Sequence, residues 1–109
     1  MKRRRLKLLR QASNQISEAA AWWAANRPSA PKALVRDLRQ AMRLIAVQPN
    51  AGRTVKGAGF ESVRRVHLTR VRYHLYYRLN PEDDTVEILA FWHSSRGSEP
   101  PLQGTRGDG

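Results

Sequence analysis

VRRVHLTRVRYHLYYRLNPEDDTVEILAFWH, running from Val63 to His93, is the stretch that decides the fold. Its residues alternate: Val66 and Leu68, then Tyr73, Leu75, Tyr77 and Leu79 on one face, with His74, Tyr76 and Arg78 on the other. Successive side chains of a strand point to opposite sides of a sheet, so a period of two marks strands with one buried face. After the polar turn Asn80-Pro81-Glu82-Asp83-Asp84, a last strand sets Val86, Ile88, Ala90 and Trp92 against Glu87, Leu89, Phe91 and His93. Connections this short make consecutive strands antiparallel. By the same alternation Tyr73, Leu75 and Tyr77 are expected in the core, with His74, Tyr76 and the arginines facing out.

Upstream, the segment from Gly52 to Glu61, with Gly57 and Gly59, reads as a loop. Before it the period changes to that of a helix. Leu34, Leu38, Ala41, Met42 and Ile45 form one stripe, while Arg36, Asp37, Arg39, Gln40 and Arg43 face water. Ser29 can cap this helix, Pro31 suits its first turn, and Pro49 and Gly52 end it. An earlier helix is expected from an N-cap at Ser13 or Asn14, through Ile16, Ala20, Trp23 and Ala24, to about Asn26, where Arg27-Pro28 stops it. A half-buried strand within Arg3 to Arg10 precedes it, suited by its charges to a sheet edge. The order is β-α-α-β-β-β, an α+β fold in which a helical hairpin packs on a small antiparallel sheet. Residues 1–96 are expected to make one domain, and residues 97–109, rich in Gly, Pro and polar side chains, a disordered tail.

Twenty Lys and Arg stand against nine Asp and Glu in 109 residues, a formal charge of +11, and sixteen of the cations are Arg. Such a surface seeks a polyanion: nucleic acid, an acidic protein or an anionic membrane. Without cysteine, disulfides and thiolate chemistry are excluded. The three histidines lack the spacing of a metal site, and no motif calls for a cofactor. No segment nears the roughly 20 apolar residues of a membrane span, so a soluble, cytoplasmic protein is expected.

From Ser62 to Pro81 the chain carries Arg64, Arg65, Arg70, Arg72 and Arg78, with His67 and His74, and no carboxylate. Arg64, Arg65, Arg70 and Arg72, together with Arg96 and an exposed Tyr76, are the candidate target- or nucleic-acid-binding set, since guanidinium groups fork onto phosphate. The same neighbourhood holds what RNA cleavage needs: a base for the 2′-OH proton, an acid for the leaving oxygen and cations for the charge between them. His74, His93 and Tyr73 could move protons there, and Arg72 and Arg96 could hold charge. Equally, the cluster could bind without chemistry.

Four stretches, in this order, resemble the RelE/ParE superfamily of bacterial toxins from type II toxin-antitoxin systems. They are the first helix with Ile16 and Trp23, Gln48-Pro49-Asn50-Ala51-Gly52-Arg53, Val63-Arg64-Arg65-Val66, and Tyr73-His74-Leu75-Tyr76-Tyr77-Arg78 leading to Ile88-Leu89-Ala90-Phe91-Trp92-His93. The resemblance implies a compact β-α-α-β-β-β toxin that is neutralised by a small antitoxin, acidic in its toxin-binding segment, in a hetero-oligomer. RelE-like members cleave mRNA on the ribosome, whereas ParE-like members inhibit DNA gyrase. His74 stands where RelE-like members commonly have Arg, and the ending Trp92-His93-Ser94-Ser95-Arg96 is more like ParE. The resemblance therefore points first to gyrase inhibition and second to mRNA cleavage. A third reading is a non-toxic nucleic-acid-binding protein, which explains the charge but not the order of features.

Overall fold

A computed structural model describes residues 2–56, 62–95, 100 and 102. The elements are β1 (Leu6–Leu8), α1 (Arg10–Asn26), α2 (Ala33–Val47), β2 (Arg53–Thr54), β3 (Val63–Leu68), β4 (Tyr73–Asn80) and β5 (Thr85–His93). One five-stranded sheet has the order β1-β5-β4-β3-β2, with the helical hairpin on one face. The α+β class and the predicted element order hold.

The sheet is mixed, where a purely antiparallel one was expected: β1 runs parallel to β5, and the other pairs are antiparallel. Short connections force antiparallel pairing only on consecutive strands. β1 and β5 are separated by the whole hairpin, so that rule does not reach them. The two-residue β2, inside the segment expected to be loop, adds a short edge beside β3.

Both helices start elsewhere than expected. α1 begins at Arg10, because Leu9 leaves the sheet with its N–H donated to Ile88 O (3.2 Å) and its carbonyl already accepts Ser13 N–H (2.9 Å). Beyond the end of β1 the outer edge of β5 is covered from α1, where Gln15 Oε1 accepts the Phe91 N–H at 2.8 Å. α2 begins at Ala33, leaving Pro31 in the preceding turn. Trp23 closes the connection by donating Nε1–H to Ala30 O (2.8 Å), and Arg27 lies over both Trp22 and Trp23.

The main core lies between hairpin and sheet. Leu34, Leu38 and Ile45 of α2 and Ala12 and Ala19 of α1 meet Leu75, Tyr77, Val86, Ile88 and Phe91. Each large aliphatic side chain fully buried here contributes about 1.5–3 kcal/mol. The expected alternation of β4 is observed, but that of β5 is not. Tyr76 pairs with Ala90 and Tyr77 with Ile88, so Leu89 is an extra residue in a β-bulge. The bulge reverses the phase of the strand. Val86, Ile88 and Phe91 face the helices, while Leu89, Ala90 and Trp92 join Val63 and Tyr76 in a second cluster on the opposite face. Of the expected tail, Pro100 is buried and Leu102 packs against this second cluster; the rest lies outside the described residues.

The loop after α2 is fastened to β4. Tyr77 Oη accepts the Gly52 N–H at 2.8 Å and donates to Pro49 O at 2.8 Å. Burial pushes the Tyr77 phenol above its ordinary pKa, against the opposing pull of the Gly52 N–H and Arg64.

At the other end Lys2 Nζ (2.5 Å) and Arg4 Nε (3.0 Å) hold Asp84, in the β4–β5 turn, and Arg5 O accepts Val86 N–H at 2.9 Å. The hydrogen bond from Lys2, then that from Arg4, keeps the Asp84 carboxyl below its ordinary value of 3.8. A depressed carboxyl stabilises above its unfolded pKa and loses that contribution as pH falls through the folded one. Hydrogen exchange at the Val86 amide should therefore speed up, relative to amides of the β3–β4 pair, as pH drops below about 3.8. Asp84→Asn should abolish this differential, and a differential that survives in the variant would exclude the clip as its cause.

Candidate functional site

The period of two in β3 and β4 places Arg65, His67, His74, Tyr76 and Arg78 on the face turned away from the helices. A hairpin centred near Arg70 and Val71 brings partners into register: Arg65 opposite Tyr76 and His67 opposite His74, with Arg53 of β2 opposite Arg65. The two imidazole centroids lie 4.8 Å apart, and His74 meets Tyr76 edge-on at 6.1 Å. Arg65 donates to Tyr76 Oη at 3.4 Å. A pocket of about 390 Å³ opens at the β3 edge of the sheet, where Arg53, Arg65, His67 and His74 meet Leu44 of α2, Ala51, Gly52 and Val66. Cations and imidazoles converging on one concavity suit an anionic oxygen: a phosphate, or a carboxylate of an acidic protein.

The expected site residues do not all gather there. Tyr76 lies on the expected face but is only 1% exposed, covered within the cluster of Val63, Leu89 and Ala90 with Trp92 and Leu102 beside it. It supports Arg65 and His74 from below, which corrects its expected exposure. Arg64 points to the helix side and donates to Gly52 O at 2.8 Å, pinning the loop. Arg70 reaches α2, where it makes a bidentate pair with Asp37 at 3.0 and 2.6 Å; that hydrogen bond and charge raise its already high pKa. Arg72 is exposed in the β3–β4 turn, at φ 65°.

Tyr73 and His93 lie on the helix side. Tyr73 stacks on Phe91 (4.5 Å, 6°) and meets His93 edge-on at 5.0 Å. Ser95 N–H donates to His93 Nδ1 at 3.2 Å, with the Ser95 hydroxyl 2.6 Å from the same nitrogen. In the neutral ring this puts the proton on Nε2. The Arg72 carbonyl accepts Ser94 N–H at 2.8 Å, so Arg72, Tyr73 and His93 share one corner of the sheet. Arg96 lies outside the described residues.

The carboxylate-free run is thus carboxylate-free only along the chain. Asp37 from α2 meets Arg70, and Glu87 from β5 lies 3.8 Å from Arg78. Sequence reasoning missed Arg53 and His67 as members of the site. For His67 the signal was present, because the hairpin register that pairs Val66 with Leu75 also pairs His67 with His74. For Arg53 it was absent, since nothing local marks a two-residue strand.

A protein-family model described as ParE toxin of type II toxin-antitoxin system, parDE, matches residues 6–97. No curated protein matches the chain. Among solved structures, the chain is similar to a chromosomal ParDE toxin-antitoxin system from P. aeruginosa, with TM-score 0.68 and 18% identity over 85% of this chain and 98% of that one. It is similar to the archaeal RelE-RelB complex from Pyrococcus horikoshii OT3, with TM-score 0.58 and 20% identity over 89% and 100%. It is also similar to a mutant of E. coli toxin RelE in the free state, with TM-score 0.56 and 14% identity over 85% of each chain. At these identities the structural likeness concerns the fold, and the family assignment rests on the match over residues 6–97: the chain belongs to the ParE toxin family of type II toxin-antitoxin systems.

Proposed function

We propose that this protein arrests growth by inhibiting DNA gyrase in the cytoplasm and is kept silent by a small antitoxin with an acidic toxin-binding segment. The observation that carries the choice of target is the match of residues 6–97 to the ParE toxin family, and the division of the proton-transfer candidates supports it. His74 lies on the outer face, and Tyr73 and His93 lie on the helix side. His74 therefore cannot serve the same phosphodiester as Tyr73 and His93, because acid and base must both come within hydrogen-bond reach of the reacting atoms. Binding and blocking a macromolecular target asks for no such convergence. The Arg53, Arg65, His67 and His74 pocket then serves as an anion contact, for the target or for the antitoxin that masks it.

Expression of the chain without an antitoxin should arrest growth. The purified protein should block gyrase supercoiling or trap cleaved DNA, and the absence of either effect at stoichiometric excess would count against the gyrase target. One observation favours a second reading, RelE-like mRNA cleavage on the ribosome: Arg72, Tyr73 and His93 share a corner of the sheet. Codon-register cuts that vanish in His93→Ala would select that reading instead.

A further inference from the structure

The outward face of α2 carries a ridge that neither the core nor the sheet pocket uses. Lys32, Arg36, Arg39 and Arg43 are exposed and follow one another at intervals of four, three and four residues, the spacing that places side chains on one side of a helix. At 1.5 Å per residue the ridge is roughly 16 Å long. None of the four is paired with a carboxylate among the described residues, and Asp37, the one acid of α2, is committed to Arg70. Val35 and Gln40 line a shallow groove of about 470 Å³ beside the four cations.

We propose that this ridge binds the phosphate backbone of duplex DNA without reading its sequence. A protein partner is held mainly by apolar or aromatic anchors at the centre of the contact. The groove beside the ridge offers only the half-buried Val35 and the exposed Pro31; the exposed Leu44 of α2 lines the sheet pocket instead, and the exposed Trp22 belongs to α1. Evenly spaced cations without an anchor complement a row of equal negative charges instead, and guanidinium groups fork onto phosphate oxygens. Phosphate contacts position a protein and carry no base information. The choice of duplex DNA follows from shape. The straight run of the ridge can follow the phosphates along one rim of a B-DNA major groove, which at about 12 Å leaves room for a helix about 10–12 Å across to lie against that rim, whereas the major groove of A-form RNA is deep and narrow. The inference stands apart from the gyrase reading, since it concerns the toxin and DNA alone.

The test is anisotropy of a labelled DNA duplex titrated with the full chain over a series of salt concentrations. Four phosphate contacts give a slope of log affinity against log salt of about −3.6. Arg36→Gln/Arg39→Gln should reduce that slope by about 1.8 and weaken binding about tenfold or more at ~0.1 M salt. Lys32→Gln/Arg43→Gln should do the same and serves as the second variant should the first lose its thermal transition. The charge-matched Arg3→Gln/Arg5→Gln should leave the slope within about 0.5 of the unaltered protein. An unchanged slope in the ridge variants, an equal loss in the charge-matched control, or no binding to the duplex would overturn the proposal. So would competition by duplex RNA, single-stranded RNA or polyglutamate as effective, per charge, as that by duplex DNA.

Discussion

Gly52→Ala is expected to lower the stability of this protein by about 3 kcal/mol or more, through overpacking and a lost buried hydrogen bond. A Cβ at position 52 would lie 2.5 Å from Tyr77 Oη, 2.8 Å from Arg65 O and 2.9 Å from Tyr77 Cε1. Two of these belong to a ring that is itself fully buried, and the third is backbone of β3, so none can swing aside. The loop must lift, and lifting it separates Gly52 N–H and Pro49 O from the Tyr77 hydroxyl they share. For a domain of this size the loss corresponds to roughly 15 °C in the thermal midpoint. Tyr77→Phe should cost about 2 kcal/mol, because it leaves a buried donor and acceptor unpaired but adds no atoms. The double variant should lose less than the sum, since the missing hydroxyl removes the nearest clash. Denaturant unfolding of the three variants checks this, and a Gly52→Ala protein as stable as the original would show that the loop is not seated on Tyr77.

Arg78→Met is the second large effect, expected to cost about 3 kcal/mol. Glu87 is only 6% exposed, on a face where Arg78 is its paired cation at 3.8 Å. Asn80 Nδ2 donates to Glu87 Oε2 at 3.3 Å, whereas Oε1 has no hydrogen-bond partner and relies on the ion pair. Removing the guanidinium leaves a carboxylate that is shielded from water and uncompensated. Adding Glu87→Leu should recover most of the loss, because a buried pair replaced as a unit by apolar side chains is often neutral. Unfolding curves of the two single variants and the double variant form a cycle. Simple additivity in that cycle would mean that the two groups do not act as a pair.

These effects lie where long-range contacts decide. Replacing Arg78 looks harmless in the sequence, as one more arginine in a basic run. Its partner is nine residues away around a turn, and its burial depends on both flanking strands. Arg64 and Arg70 follow the same pattern, their partners being a loop carbonyl and a carboxylate on α2. Of the site residues named from sequence, Arg65 and His74 lie at one pocket, and Arg72, Tyr73 and His93 at one corner. Tyr76 underlies the first group, and Arg64 and Arg70 are engaged elsewhere. Charge along a chain records composition, whereas an exposed charge depends on what the fold places opposite it.

What the sequence determined by itself was whatever depends on neighbours a few residues apart. The stripe of Leu34, Leu38, Ala41 and Ile45, the alternation of Tyr73, Leu75 and Tyr77, and the turn at Asn80 to Asp84 were legible because helix and strand periods are local. From them came the element order and the helical hairpin laid on a sheet. What only the tertiary structure decided was phase, direction and pairing. In the run Ile88-Leu89-Ala90-Phe91 every residue is apolar, so one extra residue leaves no mark on the pattern; the bulge at Leu89 nevertheless moves Phe91 into the main core and Ala90 out of it. The parallel pairing of β1 with β5 and the Tyr77 latch on Gly52 likewise join segments 80 and 25 residues apart. No local period can encode a contact between surfaces that meet only once the chain has folded.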